Sequence, residues 1–169
     1  MSKPFVAVLM GSDSDLPVME ATFAVFKKFA IPFEAKVTSA HRTPEATRTY
    51  VKEAEARGCA IFICAAGMAA HLAGAVAANT LRPVLGVPVE SSLDGLDALL
   101  STVQMPGGIP VGSLAIGKAG AKNAAYLAAQ ILGVSDAELH QRLIAEREEN
   151  VLEVQKKDAI LQQKLKDMR

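Results

Sequence analysis

Five short strand-like runs, Phe5–Met10, Phe33–Thr38, Ala60–Ala65, Val84–Val87 and Val111–Ile116, alternate with longer segments whose apolar residues recur at helical spacing. Phe5–Met10 and Ala60–Ala65 lack polar alternation, as strands covered on both faces do. The first helix starts at a Gly11-Ser12-Asp13-Ser14-Asp15 turn, where Ser12 or Ser14 suits the cap and Pro17 falls in the first turn. Val18, Phe23, Val25, Phe26 and Phe29 give it a buried face, and Ile31-Pro32 ends it. Thr43 caps a second helix that begins with Pro44 and stops at Gly58. Further helices are predicted over Ala69–Ala78, Leu93–Val103 and Ala119–Leu132. The proline- and glycine-rich stretch Gln104–Pro110 must be a loop.

Strands alternating with helices predict an α/β, three-layer αβα domain with a flavodoxin-like five-stranded parallel sheet. Residues 1–134 form that domain, and 135–169 a C-terminal helical extension. The extension is one or two charged helices with apolar positions at Leu139, Leu143, Val151, Val154, Ile160, Leu161 and Leu165. That stripe needs a partner, either its own domain or, as expected here, neighbouring subunits of a homo-oligomer.

A chain of 169 residues, half of them apolar, can bury a stable core without staples. Its 18 basic and 18 acidic side chains leave no excess charge for a nucleic-acid backbone, so no nucleic-acid partner is expected. Cys59 and Cys64 read as buried thiols. No secretory signal and no membrane-spanning run is visible, so a cytoplasmic location is expected, without membrane partners.

In sheets of this kind ligands bind beyond the carboxyl ends of the strands. Two polar clusters sit there. The Gly11–Asp15 turn offers unpaired backbone N–H groups for a phosphate or carboxylate, with Ser12 and Ser14 hydroxyls beside them. Asp15 would repel a phosphate and should face neutral hydroxyls such as a ribose pair. The same residues would also serve as a plain helix cap. The second cluster is Ser39-Ala40-His41-Arg42-Thr43-Pro44. Arg42 can fork onto a phosphate, and His41 is the natural proton carrier near neutral pH. A third segment, Ala65–Leu72, has small residues through which a backbone can approach a flat ligand or hold CO2. Within it, His71 either faces the site or packs inward. The Gln104–Pro110 loop has the glycines of a flexible cover, and His140 reads as a surface residue. There is no Walker loop, no Gly-x-Gly-x-x-Gly after the first strand, no biotin-type Met-Lys-Met and no metal-ligand spacing. Acid–base chemistry and positioning are what remain.

Met10-Gly11-Ser12-x-Ser14-Asp15, Ser39–Pro44, Ala70-His71-Leu72, Pro83–Val89 and Val103–Val111 resemble, in order and together, the N5-carboxyaminoimidazole ribonucleotide mutase family. The resemblance covers roughly Val6–Leu132. It implies an isomerase of purine biosynthesis that moves a carboxyl group from nitrogen to carbon on a ribonucleotide, without metal or organic cofactor, in a homo-octamer. It also implies that Ser12, Ser14 and Arg42 hold the phosphate, Asp15 the ribose, and Ser39 and Ala40 the region of the base. His41 would be the general acid/base, and Gly67, His71 and Leu72 would complete the substrate site. Three positions depart from the family pattern: Ala65 and Met68 replace glycines and Ala73 a proline. The alternative is the related aminoimidazole ribonucleotide carboxylase that uses free CO2. That class tends to have Lys at the place of Arg42 and to lack the Ala69-Ala70-His71-Leu72 segment. From another class, a receiver module would want a phosphate-accepting Asp, and a flavin binder would want more aromatics than two Tyr and no Trp.

Overall fold

The computed structural model describes residues 4–168. Five strands, β1 (Phe5–Met10), β2 (Phe33–Val37), β3 (Cys59–Gly67), β4 (Val84–Val89) and β5 (Gly112–Ser113), form one sheet in the order β2-β1-β3-β4-β5. Every neighbouring pair is parallel. The helices are α1 (Leu16–Lys28), α2 (Pro44–Ala56), α3 (Leu72–Ala77), α4 (Leu96–Val103), α5 (Gly117–Gly133) and α6 (Ala137–Asp167). This is the expected flavodoxin-like fold. No helix among the described residues is long and apolar enough to cross a membrane.

Chain contacts divide the protein into two compact units, residues 4–129 and 130–168. In the first, the sheet is the middle layer, as its sequence demands: β1 is buried at all six positions. Ala7, Leu9, Phe62 and Cys64 pack with Val51 and Ala54 of α2 and with Leu72 and Val76 of α3. Thr102 of α4 and Ala73 of α3 both close on Gly86 of β4. On the other side α1 and α5 are tied together. The buried Thr22 hydroxyl donates to Ala121 O at 2.7 Å, and Phe29 meets Tyr126 edge to face. Cys59 and Cys64 are free buried thiols; desolvation pushes Cys59 up to about 11 and Cys64 upward as well.

The second unit holds the last turn of α5 and the whole of α6. One continuous helix forms here. Asp136 caps it, accepting from Leu139 N at 2.9 Å. Leu139, Leu143 and Glu146 are buried, and the Leu143 side chain lies against Gly133. Beyond residue 147 every described position is exposed.

Several expected boundaries move. The helix predicted over Ala69–Ala78 is cut to Leu72–Ala77, because a tight turn, His71 N donating to Ala69 O at 2.8 Å, takes up its first residues. The fourth strand continues through Pro88 to Val89. Proline is tolerated there because the last β4–β5 pair is Gly86↔Ser113, so that side of β4 has no ladder partner at Pro88. The fifth strand shrinks to Gly112–Ser113. The Gln104–Pro110 loop is no cover for the site of its own chain. Gly108, Ile109 and Pro110 face the start of β4, at Val84 and Leu85, the opposite end of the sheet from the predicted ligand clusters.

Candidate active site

A cavity of about 540 Å³ opens at the carboxyl ends of β1, β2, β3 and β4. Gly11, Ser12, Ser14 and Asp15 line it from β1, and Ser39, Ala40, His41 and Arg42 from β2. The end of β3 adds Gly67, Met68, His71 and Leu72. The ten residues to which the family resemblance gives site roles therefore all line this one cavity. β1 and β3 are neighbours whose connections run to opposite faces, the switch point at which such sheets leave a crevice.

Each wall is locally built. After β1 the chain makes one turn of 3-10 helix, Asp13–Asp15, closed by a capping box. Ser12 Oγ accepts from Ser14 N at 3.2 Å, and Asp15 Oδ2 accepts from Ser12 N at 3.1 Å. The Ser14 hydroxyl donates to Ser12 Oγ at 2.9 Å, so the two serines form one hydroxyl cluster. Asp15 is only 6% exposed. Burial raises its pKa, and the backbone N–H groups of Ser12 and Gly11 partly offset that.

After β2 the loop is knotted on itself. Thr43 N donates to Ser39 O at 2.9 Å, Ser39 N to Thr43 Oγ1 at 3.0 Å, and Arg42 N to Ser39 Oγ at 3.1 Å. Thr43 holds the cap position of α2 as expected, yet its hydroxyl bonds back to Ser39 and not into the helix. The buried Thr38–Thr47 hydroxyl pair, 2.7 Å apart, pins the loop to α2. These bonds use the backbone and leave the side chains of His41 and Arg42 exposed at the cavity. Arg42 makes no ion pair among the described residues. Ser39 Oγ is engaged by its own loop.

After β3, His71 turns toward the site. His41 Nε2 lies 2.8 Å from His71 Nδ1, and the rings meet edge to face. Gly67 has a packing reason: a β-carbon there would stand 3.2 Å from Val89 O. Val89, Glu90 and Ser91 form a wall that the sequence reading missed. The strand-end rule would have found them, had β4 not been read as stopping before Pro88. Two imidazoles, one guanidinium, a hydroxyl cluster and one nearly buried carboxyl group thus surround a space of about 540 Å³. Such a set can anchor an anion at one end and move a proton at the other.

Residues 5–153 match the AIR carboxylase family. A protein of Escherichia coli K12 named N5-carboxyaminoimidazole ribonucleotide mutase is 56% identical over 139 residues, 82% of each chain. One of the same name from Mycobacterium tuberculosis is 51% identical over 161 residues, 95% of this chain and 91% of its own. The crystal structure of Treponema denticola PurE superposes with a TM-score of 0.85 at 31% identity, covering 93% of this chain and 98% of that one. With its whole sheet and every loop of the cavity inside the matched region, the chain belongs to the AIR carboxylase family.

Proposed function

We propose that this chain converts N5-carboxyaminoimidazole ribonucleotide to 4-carboxy-5-aminoimidazole ribonucleotide in purine biosynthesis, with His41 as general acid and base. The observation that carries this reading is the His41–His71 pair on the wall of a cavity that Arg42 and the Ser12–Ser14 turn also line. A carbamate on an exocyclic nitrogen is labile. When His41 delivers a proton to that nitrogen, the N–C bond breaks and CO2 leaves. The bond's electron pair stays on nitrogen, and the amino group enriches C4 of the ring. C4 then attacks the retained CO2, and the C4 proton returns to His41. One histidine therefore gives a proton in the first half and takes one in the second. Holding CO2 beside C4 supplies the rest by proximity.

Arg42 and the hydroxyls of Ser12 and Ser14 anchor the phosphate. Asp15 receives the ribose hydroxyls, and Ser39 and Ala40 border the base. Gly67, His71 and Leu72 close the side where CO2 is held. The name shared by the relatives and the retained arginine both favour this isomerisation over carboxylation by free CO2.

The working form is a cytoplasmic homo-octamer. The catalytic domain ends near residue 134, and the extension packs on neighbouring subunits through Val151, Val154, Ile160, Leu161 and Leu165, which are largely exposed along α6. Removing the chain after Glu149 lowers the assembly state by light scattering; an unchanged size overturns that part. The activity is tested by substrate choice. The enzyme is supplied with the carbamate ribonucleotide, or with the decarboxylated ribonucleotide plus bicarbonate. Efficient consumption of the first alone is expected, whereas efficient use of the second identifies a carboxylase.

A further inference from the structure

Among the described residues Met68 is the one non-glycine residue in a left-handed conformation that lines the cavity; the others, Ala30, Leu93 and Asp94, do not. An unbranched side chain at φ 55° is strained, a position glycine fills more easily. The segment cannot slide to relieve it. On one side Gly67 is held in the sheet beside Val89, and on the other His71 N closes a tight turn onto Ala69 O at 2.8 Å. The turn thus fixes the direction in which the Met68 side chain leaves the backbone. That side chain is 58% exposed while also lining the cavity, so it sits at the rim, between the bound space and solvent. Backbone strain held by surrounding structure at a cavity points to use of the side chain.

We propose that Met68 is the retention residue of this site: its flexible thioether lies over the mouth of the CO2-holding side and slows both escape of CO2 and entry of water. The inference rests on the isomerase reading above. CO2 carries no charge and its oxygens are weak hydrogen-bond acceptors, so an arginine or hydroxyl holds it poorly. An apolar, polarisable and adaptable side chain excludes the competing water instead. Neighbouring Ala66, Ala69 and Leu72 continue the apolar lining. Met68 takes no part in proton transfer, so its removal changes the fate of CO2 more than the first bond cleavage.

The test follows the carboxyl carbon. The carbamate ribonucleotide is labelled with 13C in its carboxyl group, and turnover runs in unlabelled bicarbonate with carbonic anhydrase present. Mass spectrometry reads the label in the product and the amount of decarboxylated ribonucleotide released. The natural enzyme is expected to keep most of the label. Met68→Leu should retain it similarly, whereas Met68→Ala and Met68→Gly should lose label and release decarboxylated ribonucleotide several-fold more. Met68→Gly relieves the left-handed strain, so its thermal unfolding midpoint should not fall, which separates leakage from unfolding. Label retention in Met68→Ala and Met68→Gly equal to that of the natural enzyme overturns the proposal, as does poor retention by the natural enzyme itself. If the natural enzyme makes no product from the labelled substrate, the isomerase reading fails instead.

Discussion

His41 Nε2 and His71 Nδ1 stand 2.8 Å apart, joining the loop after β2 to the loop after β3 across the cavity. One of the two nitrogens carries the shared proton, so the tautomers of the rings are coupled. The pair also fixes the orientation of His41, whose backbone loop is closed by Ser39 and Thr43 but whose ring is exposed. His41→Asn should therefore reduce kcat by about 10²–10⁴-fold with unchanged assembly and circular dichroism. Near-normal turnover would remove His41 from the proton chemistry. His71→Asn should lower kcat less, leave KM nearly unchanged and alter the pH–rate profile, as expected of a residue that positions His41 through their hydrogen bond. An unaltered profile would make the pair a packing contact only.

Arg42 has no ion-pair partner among the described residues, although its backbone N–H is tied to Ser39 Oγ. A guanidinium held at a cavity without a partner is placed for an anion. Arg42→Ala should raise KM by roughly tenfold or more, the loss of a charge-assisted hydrogen bond worth about 1.5–3 kcal/mol. Arg42→Lys should restore only part of it, since a forked contact becomes a single one. A KM that stays at the natural value in the alanine variant contradicts a phosphate role.

The layers of the fold were legible because burial leaves a plain mark. β1 and the start of β3 read as strands since both of their faces are covered, and no polar residue interrupts them. The cavity was legible for a topological reason: clusters at strand carboxyl ends must converge in a parallel sheet. What could not be read were features set by backbone geometry and long-range pairing. Ala69 and Ala70 look like helix formers, but a tight turn closing His71 N onto Ala69 O takes them up and the helix starts only at Leu72. Pro88 looks like a strand breaker, but the strand beside it has already ended. Glu90 and Ser91 were hidden by that misplaced end. The His71 direction depends on a contact 30 residues away, which local spacing does not encode.

Asp15 is nearly buried, and desolvation raises its carboxyl pKa despite the backbone N–H groups of Ser12 and Gly11. The sign is the unfavourable one. A group whose folded pKa is raised lowers stability as pH climbs through the folded value, because the charged form is held less well than in the unfolded chain. Asp15→Asn keeps an acceptor for Ser12 N without the charge. It should unfold at the same or a higher temperature at pH 7 while binding the substrate more weakly, a trade of stability for function. A large fall in the unfolding midpoint would mean that the carboxylate is chiefly a cap.

Gly86 lies where three elements meet. A β-carbon there would collide with Thr102 Cγ2 of α4 and stand 3.1 Å from Val111 Cγ1. Thr102 is buried, and its hydroxyl donates to Ala98 O at 2.7 Å, so the side chain is not free to swing aside. Gly86→Ala should cost about 1–3 kcal/mol through overpacking, read as a drop of several degrees in thermal unfolding. Adding Thr102→Ser removes the colliding methyl and should recover part of the loss. No change on the first substitution would show that α4 moves away without penalty.

Glu34 on β2 receives two N–H donors from Arg57, one of them at 2.8 Å, and the Tyr50 hydroxyl at 3.2 Å. The Arg57 hydrogen bonds hold its carboxyl below the ordinary value of 4.5, with Tyr50 helping and desolvation opposing. The folded pKa is depressed, so the contribution is present above that ordinary value and is lost as pH falls through the folded one. Glu34→Gln should consequently be less stable than the natural protein at pH 7, with the gap narrowing as the acid is approached. Urea midpoints at pH 7 and below pH 4 provide the check. The pair is half exposed, and added salt should shrink the gap at pH 7 too. A gap that stays constant across the pH range would assign the loss to the Tyr50 hydrogen bond or to packing, and not to the charge on Glu34.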